Sequence, residues 1–125
     1  MVAPTMGGME VERRVVLAAE TADAWAAVLD FSGWFCDTAD VGEVEPGARV
    51  EFSWSDGTTR AAVFEEVDGP RFLAFRWLPF ARLQDGEAVR RPQARVEITL
   101  SPVEGGIEMH VVERRMDVAL TGARA

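Results

Sequence analysis

Apolar and polar residues alternate from Glu10 to Ala18, with Val11, Val15 and Leu17 on one face and Glu12 and Arg14 on the other, the period of a half-buried strand. The period changes at Glu20-Thr21-Ala22-Asp23. Thr21 is suited to cap a helix, Asp23 falls in its first turn where a carboxylate complements the helix dipole, and Trp25, Val28 and Leu29 recur at helical spacing. Ser32-Gly33 interrupts that helix, and Phe31, Trp34 and Phe35 crowd a second short segment predicted as a further helical turn. From Val41 to Val112 strands are separated by turn signals at Glu45-Pro46-Gly47, Ser55-Asp56-Gly57, Asp68-Gly69-Pro70 and Glu104-Gly105-Gly106. This order predicts an antiparallel meander. Alternation assigns its apolar faces: Val50, Phe52 and Trp54; Leu73, Phe75 and Trp77; Val96, Ile98 and Leu100; Ile107, Met109 and Val111. The segment from Leu78 to Gln93 is too long for a tight hairpin and reads as a mobile loop or an extended hairpin tip.

A strand, short helices and then a long meander is an α+β order, in which the apolar sheet face must be buried against something helical. At 125 residues one core is expected: residues 10–125 read as a single domain after a flexible start over residues 1–9. No apolar run approaches the ~20 residues that span a bilayer, so a cytoplasmic protein without membrane contact is expected. The net charge of −8 opposes nucleic acid as a partner. All 13 basic residues are Arg, which removes Schiff-base chemistry and a P-loop lysine. One cysteine, Cys36, and one histidine, His110, cannot assemble a Cys/His zinc cage, so neither metal nor cofactor is expected.

Several motifs in this order carry a resemblance: Ala19-Glu20-Thr21-Ala22-Asp23-Ala24-Trp25, the pair Trp34-Phe35, the turn and strand Pro46-Gly47-Ala48-Arg49-Val50-Glu51-Phe52, Val67-Asp68-Gly69-Pro70 leading to Trp77, and Val96 to Gly106. Over residues 10 to 116 the chain resembles the activator-of-heat-shock-protein-90-ATPase homologues of the SRPBCC (START/Bet v-like) superfamily. The resemblance implies a helix-grip fold, in which a curved antiparallel sheet with two short N-terminal helices wraps a long C-terminal helix over a hydrophobic cavity. After Met116 only Asp117 to Ala125 remain, against the ~13 residues of a 20 Å helix, so that closing helix is expected to be truncated or missing. A second copy of the chain or a ligand is then expected over the apolar face.

The aromatic set Trp25, Phe31, Trp34, Phe35, Phe52, Trp54, Phe75 and Trp77 either fills a core or lines a pocket for a small hydrophobic or aromatic ligand. Met109 and Glu113 share one alternation parity, which points Glu113 toward the concave side as a polar anchor, while His110 has the opposite parity and faces outward. Arg76 and Arg95 flank the long segment, with surface ion pairing as their expected fate, and Cys36 reads as a small buried thiol. No residue is singled out as catalytic. Three functions are compatible with this pattern: binding of a small apolar ligand beneath the sheet, a co-chaperone-like interaction module with a chaperone partner or as a homodimer, and a cyclase-like enzyme.

Overall fold

The computed structural model describes residues 10–115; the segment 1–9 and the closing segment 116–125 fall outside the described residues. Strand β1 (Glu10–Leu17) is followed by helix α1 (Thr21–Leu29) and a 3-10 turn (Phe31–Gly33). Seven further strands complete the chain: β2 (Thr38–Val41), β3 (Arg49–Ser53), β4 (Thr59–Asp68), β5 (Phe72–Arg82), β6 (Ala88–Arg90), β7 (Ala94–Val103) and β8 (Gly106–Arg115). They form one curved antiparallel sheet of order β1-β8-β7-β5-β4-β3-β2, with β6 paired to the far end of β5. This is the helix-grip architecture.

Two local details differ from the sequence pattern, and a third takes one of the two forms expected. Helix α1 begins at Thr21 itself, with Glu20 in the extended N-cap position and no side-chain cap, because Thr21 already has helical geometry and cannot cap from inside. Strand β2 carries only Ala39 and Val41 as apolar residues and pairs on one side, so its alternation was too short to stand out. The segment after Trp77 is the extended hairpin tip: β5 continues to Arg82 and returns through β6, with the Gly86 N–H donating to the Leu83 carbonyl at the turn.

Directly opposed residues of an antiparallel pair share a face, so the register sorts the whole sheet. Leu17 and Val15 oppose Ile107 and Met109, Met109 and Val111 oppose Leu100 and Ile98, and Ile98 and Val96 oppose Leu73 and Phe75. Phe75 and Trp77 oppose Phe64 and Ala62, Ala62 opposes Val50, and Arg60 opposes Phe52. This is the concave face, and α1 and the 3-10 turn lie against it. Phe31, in that turn, is 1% exposed and its ring meets those of Trp34, Phe35, Phe52, Phe64 and Phe75 at centroid separations of 5.2 to 6.4 Å. Edge-to-face geometry against Phe52 and Phe75 places positive ring edges on negative faces.

The convex face is polar. Arg76, Arg95 and Arg114 stand opposite one another across β5, β7 and β8, a row of like charges offset by interleaved carboxylates. Arg76 bonds Glu65 at 2.9 Å, Arg95 bonds Glu65, Glu66 and Glu97 at 2.9, 2.6 and 3.1 Å, and Arg114 reaches Glu97 at 3.4 Å. Surface pairing is thus the fate of Arg76 and Arg95. His110 also faces outward, where it bonds Glu12, and this contact first, with Arg14 nearby, holds the Glu12 carboxyl below its usual value.

Two substitutions test this packing. Phe31→Ala should cost about 3–5 kcal/mol in urea unfolding, because the cavity cannot collapse among five rigid rings. Gly69 lies under the Trp25 ring, where an added Cβ would stand 2.8 Å from ring carbons. Gly69→Ala should therefore lower stability by roughly 1–3 kcal/mol, and the loss should vanish in a Trp25→Leu background.

Candidate inner-face site

The site is built from the 3-10 turn outward. Trp34 leaves that turn with its indole Nε1 donating to the Val28 carbonyl at 3.1 Å, which fixes the ring beside α1 at 36% exposure. Next to it, Phe35 reaches into the sheet and stacks on Trp77 at 6.0 Å and 17°, while touching Phe52, Trp54 and Phe75. A row therefore runs from Trp34 through Phe35 to Trp77, with centroid steps of 5.4 and 6.0 Å. Phe52 and Phe75 are fully buried and form its floor; Phe35 and Trp54 are half-buried.

At the Trp34 end an open groove of about 190 Å³ lies between α1 and the β1–β8 pair, walled by Leu17, Val28, Trp34 and Met109, with Asp30 at its rim. Val15 opposes Met109 on the same face and is 45% exposed, so the apolar surface continues onto β1. At the other end Glu113 opposes Val96 on the concave face, and its Oε2 accepts the Trp77 indole N–H at 2.8 Å. Of the residues read as site candidates, Phe31 fills the core, Trp34 and Met109 meet in the groove, and Phe35, Phe52, Trp54, Phe75, Trp77 and Glu113 form the aromatic row and its end. Trp25 is placed instead against the Gly69 turn.

One residue of the site escaped the sequence reading. Arg60 lies on the concave face, with its guanidinium 4.8 Å from the Trp77 ring centroid. Its Nε and Nη2 donate to the Leu78 carbonyl at 3.3 and 3.1 Å, and Nη2 also donates to the Pro92 carbonyl at 3.0 Å. Burial pushes this guanidinium below its usual value, the nearby Glu113 charge pulls it back up, and Arg91 lowers it further. The signal was present: Arg60 shares parity with Ala62 and Phe64. A larger depression of about 270 Å³ opens between Arg49, Glu51, Thr59, Phe80 and Arg82, and Arg60 also lines it. None of the candidates read from the sequence lines it.

Cys36 is half-buried beside the aromatic row, its thiol donating to the Thr38 carbonyl at 3.1 Å. Burial raises its pKa, and the neighbouring Asp37 carboxylate raises it further, against a lowering contact with the Ser53 backbone. A raised pKa means less thiolate at neutral pH, so the side chain is a poor nucleophile. No group of His, Cys, Asp and Glu side chains among the described residues could hold a metal ion. No helix among them is long and apolar enough to cross a membrane.

With this geometry in place, the comparisons decide the family. The model of the family described as Activator of Hsp90 ATPase homolog 1-like protein matches residues 14–124. The chain belongs to that family, within the SRPBCC superfamily. No curated protein matches it. Solved structures show the same fold at low identity. The DynU16 protein of the dynemicin biosynthetic locus is 19% identical with a TM-score of 0.69 over 89% of this chain, which spans 39% of that protein's length. Ms6760 from Mycobacterium smegmatis is 17% identical with a TM-score of 0.67, covering 94% of this chain and 79% of that one. CalU16 from Micromonospora echinospora is 18% identical with a TM-score of 0.60, covering 87% and 62%.

The Cys36 environment is open to direct measurement. Its rate of reaction with a disulfide reagent should lie below that of the urea-unfolded chain at pH 7 and should keep rising above the pH at which an ordinary thiol levels off. Equal rates folded and unfolded would show the thiol to be freely accessible.

Proposed function

We propose that the protein binds a small apolar or aromatic molecule on the concave face, in the groove between α1 and β8. The observation that supports this most is the pairing of a wall of apolar side chains, Leu17, Val28, Trp34 and Met109, with continued exposed apolar surface at Val15. Leaving such a surface in water is costly at about 25 cal/mol per Å². The volume of about 190 Å³ is below the ~300 Å³ of ordinary ligand pockets, so the ligand is small or extends over the exposed Trp34 and half-buried Phe35. In purified wild-type protein, 2-naphthol should shift the Met109 methyl resonance. Met109→Glu should weaken that binding about tenfold or more by placing a charge in the wall, with the far-UV circular dichroism unchanged. An unshifted Met109 methyl with shifts confined to the convex face would sink this reading.

A second reading, protein interaction, is favoured by strand β1. Among the described residues it is an edge of the sheet, and Val11, Val15 and Val16 are 51%, 45% and 55% exposed along it. Such an edge accepts an added strand. A second copy or a chaperone, the partner class named in the family description, are its candidate occupants. Under this reading light scattering should give a dimer at micromolar concentration that Val16→Glu reduces to monomer; a wild-type monomer would count against self-association.

A further inference from the structure

Arg60 and Glu113 are opposite charges that sense one another, yet no ion pair joins them among the described residues. Trp77 holds both: the guanidinium lies over the indole face, and the carboxylate takes the indole N–H at the ring edge. The Leu78 and Pro92 carbonyls pin the rest of Arg60 through Nε and Nη2. Each charged group therefore keeps hydrogen-bonding capacity with no protein partner among the described residues, the Nη1 hydrogens on Arg60 and Oε1 on Glu113. Both side chains are half-buried, and none of their unpartnered atoms is sealed from solvent, so this capacity stays within reach of a ligand. They close the end of the Trp34–Phe35–Trp77 row.

We infer that Arg60 and Glu113 form the polar reader of the concave-face ligand site and select a neutral head group that offers a donor and an acceptor together, such as a carboxamide or a hydroxy-ketone, on an apolar body. This inference rests on the ligand-binding reading above. Glu113 Oε1 takes the ligand's donor and Arg60 Nη1–H supplies its acceptor. An anionic head would gain Arg60 but be repelled by Glu113, and a cationic head the reverse, so the pair disfavours either net charge. A second feature of the reader is its rigidity: the indole fixes both charges before any ligand arrives, so little ordering is required on binding.

The test uses three probes with one tail: octanamide, octanoate and octylamine, titrated against the full chain at neutral pH while the Trp77 indole N–H resonance is followed. Octanamide should bind about tenfold tighter than the other two. Glu113→Gln keeps an acceptor for Trp77 but removes the negative charge, so it should weaken octanamide and strengthen octanoate. Arg60→Gln should weaken octanamide and strengthen octylamine. This reciprocal change is one that a merely structural role would not produce. Equal affinities for the three probes, unmoved by either substitution, would overturn the reader while leaving the groove intact. Failure of all three to perturb either Trp77 or Met109 would remove the reader together with the ligand-binding reading on which it rests.

Discussion

The structure depends on how the concave face of the sheet is kept dry, and Phe31 is the residue that does most of it. A curved sheet of this size offers a broad apolar surface, and a nine-residue helix is too short to cover it. The 3-10 turn brings Phe31 to the centre of that surface, where five aromatic rings close around it. Ala24 and Val28 of α1 are buried beside it and Phe35 follows, so a few residues of helical segment seal the middle of the sheet. Because the sealing is concentrated there, the edges of the concave face stay open. The groove at Met109 is such an edge, while at the other end Arg60 and Glu113 flank a buried Trp77.

The two faces of the sheet solve opposite problems. On the convex side the arginine row spends its charge on Glu65, Glu66 and Glu97 within reach of water, where such pairs are each worth about 1 kcal/mol or less. Their role is to cancel a row of like charges rather than to hold the fold. On the concave side Arg60 is bound by backbone carbonyls and an aromatic ring, with no carboxylate in direct contact among the described residues. A charge placed this way is oriented without being neutralised. The same residue type is thus ion-paired on one face and held by carbonyls and a ring on the other, and strand parity sets the difference.

Membership in the family and the likeness to solved structures account for the architecture, and identities below 20% carry it no further than that. The proposed ligand chemistry rests on this chain's own residues: the apolar walls of the groove, the stacked row beside it, and the two charged groups held by one indole. Burial raises the pKa of the Cys36 thiol, and His110 lies on the convex face, so neither belongs to the apolar groove.

Much of this was legible in the residues. Period-two alternation placed Val96, Ile98, Leu100, Met109 and Glu113 on one face and His110 on the other, because a pleated strand leaves a side chain only two directions. Turn residues marked the hairpins, and the change of period at Glu20 marked the helix, though not its cap. What alternation cannot provide is which faces meet. That Trp34 turns back to Val28, that Trp25 leaves the aromatic cluster for the Gly69 turn, and that Trp77 joins Arg60 to Glu113 all depend on strands distant in sequence being set side by side. The sequence by itself determined the elements and their apolar sides through local sterics and periodicity. Only the tertiary structure decided which of those sides were filled and which left a site, because burial is a property of the packed whole and not of any one strand.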